Sequence, residues 1–492
     1  MVGSDRSLAR PVRIVYAGIM KIGTLGSLGR EDERPNIVLA AFVGMICAYL
    51  ALSGNLLRDG DTAWHVAAGE LILSSRSLPT SDPFSYTFYG REWHAHEWLS
   101  ELIFAIAYRL AEWRGIILVS VLAAGGTLLI VGRELLKWLP VRWAVCLCTV
   151  ICLLLRPLAL ARPHMLVWPL LAAWVLVLIK ARDRSRAPPR VSLLIMPLWA
   201  NLHASYLLGL GILAIFCVEA LITWEDFRSW VIFAVAAVVT ACAGPLLAGN
   251  MALAFHLVNM RALSVIDEWR ATNIHDDKLF LAFLICCWLL VLLRLSRIHP
   301  ARILLLGGLS AMSLLHARHQ MPFVITAALL LAPLFRQHQI TREWRLPPYL
   351  SAAAILTLVI IALPIHLIDN DAYPLTALGQ IPKDIRRRPV LNGYSFGGPM
   401  IMLGLKPYID GRADMYGDKF TLNYITILRG DMLSFDRAAK RWDIVWTILP
   451  PKAPLVSRLD HSPDWRRFYA DQWAVVHVRR SLATNHEQSR PS

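Results

Sequence analysis

The chain reads as an α-helical polytopic membrane protein of about eleven transmembrane helices, with a small C-terminal α/β domain outside the membrane. Two observations carry the membrane reading. The 492 residues are 56% hydrophobic, with mean hydropathy +0.48, too apolar for an ordinary soluble protein of this size. Several apolar runs reach the ~20 residues that cross a bilayer. A third observation sets the domain boundary: past residue 368 the chain turns charged and richer in Pro and Gly, with short β-like runs.

Residues 1–35 hold six Lys/Arg and lack an apolar core before a small-residue cleavage site, so they are expected to form a cytoplasmic tail. A surface-lying helix is expected near Val12–Ile22. The transmembrane domain is placed at 36–368, with its first span near 36–57. Further spans are expected near 115–132, 143–158, 164–180, 191–203, 206–223, 229–247, 279–296, 303–317, 321–336 and 349–368. The 191–203 run is short and carries Pro197. Trp98 to Trp113 is apolar but contains Glu101, Arg109 and Glu112, which suits an interfacial helix rather than a span. With the N-terminus inside, the inner segments carry 21 Lys/Arg and the longer outer segments before residue 369 carry 11. That bias fits the positive-inside rule. It also accounts for the net charge of +15 without a nucleic acid. All eight cysteines lie in apolar runs, which argues against a disulfide framework or a CxxC metal site.

The first outer loop, 58–114, holds the densest polar chemistry. Its stretch Arg58 to Leu102 contains Asp59, Asp61, His65, Asp82, His94, His96 and Glu97 among interfacial tryptophans. On the same layout Arg156, Arg162, His164, Asn201, His203, Asp267, Glu268, Arg270, His316, Arg318 and His319 face the same side, as does the region after 368. Ionisable groups at membrane depth are costly and point to function. Each also has a plainer reading. Asp61 or Thr62 can cap the helix WHVAAGELIL. Single arginines can snorkel to headgroups. His203 in NLHAS can be satisfied structurally, and DEWR (267–270) can be a solvated turn. YGREWHAHEWLSEL reads as a second surface helix. The HxHE spacing of His94, His96 and Glu97 is not a zinc signature.

A spanning helix, an acidic residue, two surface helices and then a multi-span bundle resembles the GT-C glycosyltransferase superfamily. The likeness is closest to its aminoarabinose transferase and protein O-mannosyltransferase branch. It rests on Asp61, the helix Trp64 to Leu73, Leu78-Pro79, and the polar aromatic stretch Trp93 to Leu99. It covers residues 36–132 in motif and the remainder in architecture. The chain departs from the pattern in having Asp-Gly-Asp where many members have adjacent acids. The resemblance implies transfer of a sugar from a polyprenyl-phosphate-linked donor to a glycan, lipid or protein acceptor outside a bacterial cytoplasmic membrane. It implies no cofactor; a divalent metal, as the oligosaccharyltransferases use, is the alternative. Asp61 is then the expected base, with Asp59, His65, His94, His96, Glu97 and His164 lining the cavity. Arg162 and Arg318, then Arg156 and Arg270, are expected to hold phosphate, since a guanidinium meets phosphate bidentately. His316 and His319 flank Arg318. The rival readings are a cell-surface polysaccharide polymerase or ligase, and a lipid-linked sugar transporter without chemistry.

Residues 369–481 are expected to form the extracytoplasmic α/β domain. Its β-like runs are PVLNGYSFGG, KPYIDGRADMYG, DIVWTILPP and WAVVHVRR, with a helical pattern over Phe420 to Trp442. Asp410, Arg412 and Asp414 are candidates for acceptor contact, against the plainer reading of an internal Asp–Arg pair. Residues 482–492 read as a disordered tail.

Overall fold

The structure, a computed structural model, describes residues 34–247, 249–258, 260–265, 269–335 and 347–481. The expected N-terminal surface helix, Asp267, Glu268, the basic inner loop 336–345 and the tail 482–492 lie outside the described residues.

The expected spans appear as helices. The first is α1 (Arg34–Leu52), which stops at Leu52 rather than 57 because Gly54 takes a left-handed turn. The loop helix α2 (Asp61–Ser75) follows, and then α3 (Trp98–Trp138). The proposed interfacial helix and the next span are therefore continuous in the chain, separated by a break at Ala111 and Glu112. After these come α4 (Val141–Leu155), α5 (Pro163–Asp183), α6 (Ile195–Leu202), α7 (Tyr206–Thr223) and α8 (Phe227–Ala241). A helix with no counterpart among the expected spans, α9 (Gly249–Val258), precedes α10 (Lys278–Leu293), α11 (Pro300–Leu315), α12 (Gln320–Leu331) and α13 (Pro347–Ala362). Among the described residues five segments are long and apolar enough to cross a membrane, including the 41-residue Trp98–Trp138, and further apolar helices are shorter. This is a membrane protein; the count of eleven spans is not fixed by these lengths.

One apolar core runs through the bundle, centred on the inward faces of α1, α3, α5 and α12. On α12 every residue but Pro322 is buried, as expected where a helix is surrounded by others. Glu219 of α7 is buried between Arg182 and Arg302 and ties α5, α7 and α11 together at one end.

The C-terminal region begins with α14 (Leu375–Gln380) and β1 (Val390–Asn392), then α15 (Gly397–Met402), α16 (Ala413–Leu428) and α17 (Met432–Arg441). It ends with β2 (Trp446–Leu449), α18 (Pro454–Asp460), β3 (Trp465–Ala470) and β4 (Val475–Arg479). The strands form a sheet in the order β1-β2-β4-β3, with β1 and β2 parallel and the other pairs antiparallel. Apolar clusters centred on Tyr408, Tyr424 and Phe435, and on Trp446 and Val476, complete its interior. KPYIDGRADMYG is not a strand: it is a loop that turns into α16. The edge strand β3 was not among the expected strands, because its pattern of burial is confined to Trp465.

The region does not hang free of the bundle. Trp64, Ala68 and Ile72 of α2 share an apolar cluster with Trp93, Ala95 and Ile401. Gly60 and Gly398 bring two backbones together: a Cβ on Gly60 would lie 1.8 Å from the Ser395 carbonyl oxygen, and one on Gly398 1.9 Å from that of Gly60. WHVAAGELIL therefore does not ride on a surface; all but Ala67, Glu70, Leu71 and Leu73 of it is buried.

Candidate functional site

The site lies where α2, the start of α3, the α4–α5 and α6–α7 turns and the loop before α16 meet. Its first part is the Asp-Gly-Asp turn. Asp59 and Asp61 are both buried. The plain capping reading applies to Asp59, not Asp61: the Asp61 amide donates to Asp59 Oδ1 at 3.0 Å. Asp61 is the first residue of α2, directly after the N-cap Gly60.

Arg162 is delivered to the same point by its backbone. The Ala161 amide donates to the Leu56 carbonyl at 2.9 Å, and the Thr62 hydroxyl donates to the Ala161 carbonyl at 2.9 Å. The guanidinium then bridges both acids. Its Nε and Nη2 bond Asp59, and Nη2 lies 2.9 Å from Asp61 Oδ2. Two carboxylates thus share one guanidinium.

The second part is an alternating set of acids and imidazoles. Gly69 allows α2 to close on α3, since a Cβ there would sit 2.0 Å from the Glu101 carbonyl oxygen. One turn earlier, His65 meets Glu97 at 3.8 Å and Glu101 at 3.7 Å. Glu97 also faces His203 Nε2 at 3.5 Å and His96 Nε2 at 4.0 Å, and His96 Nδ1 faces Asp414 at 3.8 Å. His203 is held by Ser205, whose hydroxyl lies 2.8 Å from Nδ1. Burial, then the nearby charge of Arg318 and of His164, His96 and His65, push its pKa well below the usual imidazole value. The His164 ring lies 6.5 Å from that of His203. His96 and Glu97 reach these partners from a turn, not from the expected second surface helix; α3 begins only at Trp98. Among the described residues no group of three or more His, Cys, Asp or Glu is arranged to hold a metal. All eight cysteines are free thiols.

The third part is a cationic corner. Arg318 lies over the Trp269 ring, 4.3 Å from its centroid. His316 and His319 pack against the same ring, and His316 Nδ1 lies 2.9 Å from the Trp269 carbonyl oxygen. Among the described residues, no carboxylate lies within ion-pair distance of Arg318.

The other candidates fall elsewhere. Arg270 pairs with Asp277 at 2.6 Å. Arg156 is exposed, over Tyr49. His94 is half-buried and paired with Glu92. Asp410 and Arg412 are fully enclosed. Arg412 bonds Asp410 through Nε at 2.8 Å and Nη2 at 2.7 Å, and Asp82 through Nη1 at 2.8 Å, while Tyr416 donates to Asp410 at 2.8 Å. Phe84 and Trp93 lie within 5.1 Å of the same guanidinium. Burial opposes the Arg412 charge, but Asp410 and Asp82 outweigh it and hold its pKa well above the ordinary value. Burial, then the Asp410 charge, keep Tyr416 a phenol. Asp410 and Arg412 thus form the internal pair, and only Asp414 of the three reaches the cluster. Sequence reasoning missed Glu101, 1% exposed, and Trp269 as site residues. Glu101 had a signal, an acid inside an apolar helix one turn after Glu97.

No protein-family model and no curated protein matches the chain in sequence. Solved structures do. The Archaeoglobus fulgidus oligosaccharyltransferase in its apo form matches over 84% of this chain and 69% of its own, with TM-score 0.54 and 10% identity. ArnT from Cupriavidus metallidurans in the apo state matches over 90% of this chain and 97% of its own, with TM-score 0.49 and 13% identity. The same protein bound to undecaprenyl phosphate gives TM-score 0.46 and 12% identity over the same shares. The likeness to the oligosaccharyltransferase shows the fold: the chain has the GT-C architecture.

Proposed function

We propose that the protein is a membrane glycosyltransferase that moves one sugar from a polyprenyl-phosphate-linked donor to an acceptor on the outer face of the cytoplasmic membrane. The observation that carries this is the presence, in one site of a GT-C fold, of a buried acid held by arginine, Asp61 with Arg162, and of a second arginine, Arg318, that has no carboxylate within ion-pair distance among the described residues. Sugar transfer needs both functions. Asp61 takes the acceptor's proton as the acceptor oxygen or nitrogen bonds the sugar's anomeric carbon. The bond from that carbon to the phosphate oxygen breaks, and the phosphate leaves with the electron pair. Its growing charge is met by Arg318 and by Arg162, drawn off its two acids. Glu97, His96, His203 and Asp414 line the wall beside Asp61 and contact the sugar or acceptor. A transporter needs no base paired with a phosphate-binding cation, so this arrangement favours chemistry over transport.

The test uses purified protein and Asp61→Asn in lipid, with radiolabelled polyprenyl-phosphate sugars and a membrane extract as acceptor source. Transfer by the wild type and loss of about 10²-fold or more in the variant is expected. Equal transfer by both removes Asp61 from the role of base. Binding of the donor with no transfer to any acceptor overturns the enzymatic reading and favours transport.

A further inference from the structure

We infer that the C-terminal region completes the catalytic centre, and that Gly411 is the positioning residue that sets where the Asp61 carboxylate stands. The inference rests on the role proposed for Asp61. Its evidence is spatial. A Cβ on Gly411 would lie 2.0 Å from Asp61 Oδ1, 2.4 Å from Cγ and 2.7 Å from Oδ2. No side-chain atom fits there. Gly411 has no left-handed backbone angle to explain a glycine, unlike Gly404 or Gly417. An alanine meets no conformational objection at this position, so the carboxylate is the reason for the missing side chain.

Neither wall is free to retreat. On the far side, Asn392 binds the Tyr408 amide and the Ile409 carbonyl, each at 2.8 Å. Gly397 sits directly behind Ile409 and Asp410. Arg412, the next residue, is bonded to Asp82 and Asp410 inside the protein. On the near side, Gly60 and Gly398 pin the start of α2 backbone to backbone. The Arg162 guanidinium closes the remaining face of the carboxylate at 2.9 Å. With the backbone fixed on both sides, a methyl group at 411 meets the Asp61 carboxylate itself and displaces that side chain from its contact with Arg162. Misplacing a reacting group by about 1 Å costs on the order of 10²-fold in rate.

The experiment compares Gly411→Ala with Gly379→Ala, where a new Cβ meets nothing within 4 Å. Both are purified in lipid nanodiscs beside the wild type. Gly411→Ala is expected to lose about 10²-fold in kcat while KM for the lipid donor stays within a factor of about two. Gly379→Ala is expected to match the wild type. Full kcat in Gly411→Ala overturns the inference. A structure of Gly411→Ala gives a reading that needs no activity. The Asp61–Arg162 contact is expected to open; a contact kept at its wild-type distance overturns the inference even if the wild type transfers no sugar. Failure of the wild type to transfer any sugar instead overturns the proposed function. If Gly411→Ala does not fold, Asp61→Ala/Gly411→Ala removes the group that the methyl meets. The double variant is expected to recover the thermal midpoint of Asp61→Ala, and a double variant as unstable as Gly411→Ala alone overturns the inference.

Discussion

At the scale of single residues, the contrast between Arg162 and Arg318 sets what each side chain is free to do. Arg162 is already held by two acids, so its net worth to a phosphate is reduced by the contacts it must give up. Among the described residues Arg318 has no ion-pair partner to give up, and it lies over the Trp269 indole. Arg318→Ala is expected to lower kcat/KM for a lipid-phosphate donor by 10²-fold or so. Lysine, lacking the planar fork, is expected to recover only part of that. Steady-state kinetics with a defined donor checks both. The neighbouring His319 gives a second test. Burial, then the charges of Arg318 and His316, push its pKa down to about 3. An unfolded chain returns it to about 6.5. The unfolded state therefore binds the extra proton between pH 6.5 and 3, so the stability due to His319 is fully present above that window and is lost as pH falls through it. The thermal midpoint of His319→Asn is expected to fall less steeply than that of wild type from pH 7 to pH 5, measured in the same detergent.

At the scale of elements, apolar length and composition made the bundle legible, and the surprises sit where tertiary contacts override local pattern. The run from Trp98 to Trp138 holds an internal break that its sequence marks only by the charged group Arg109, Glu112 and Arg114. Glu112 takes φ 50 and ψ −139, a region that suits glycine. A non-glycine residue there costs roughly 1–3 kcal/mol. Glu112→Gly is therefore expected to raise the thermal midpoint, whereas Glu112→Val is expected to lower it. A midpoint that falls equally in both shows that the side chain, not the backbone, matters at this turn. The misread KPYIDGRADMYG follows the same logic. Its alternating apolar and polar residues look like a strand, but Asp410 folds back on Arg412 and the segment becomes a fixed loop. The strand WRRFYA was missed for the opposite reason: at the sheet edge only one face needs burial, so charged residues are tolerated.

At the scale of the whole molecule, the acid at the end of the first span was legible because an aspartate pair beside an apolar run has few ordinary uses. Its surroundings were not, because they are assembled from distant chain. The Asp82–Arg412 pair spans 330 positions, and Thr62 and Asp59 are fixed to a turn about a hundred residues away. The sequence read from one chain shows each partner but not the pairing. Asp82 and Arg412 are both fully enclosed, so neither charge is solvated once its partner is gone. Removing one member of such a pair costs about 3–5 kcal/mol, much more than an exposed pair would. Asp82→Asn is expected to lose less than that, because Asp410 still pairs with Arg412, and the loss is read as a lower thermal midpoint in detergent. Arg412→Met in the Asp82→Asn background is expected to cost less than Arg412→Met alone, because the second change then strands one carboxylate, Asp410, instead of two; the two effects differ from additive by about 0.5–3 kcal/mol. Asp410 remains to bind Arg412 in the single variant, so the coupling stops short of the whole ion-pair energy. Strict additivity of the two changes would mean that the first loop and the C-terminal region are held by the apolar cluster around Trp64 and Ile401 alone, and that the buried pair merely fills the space between them.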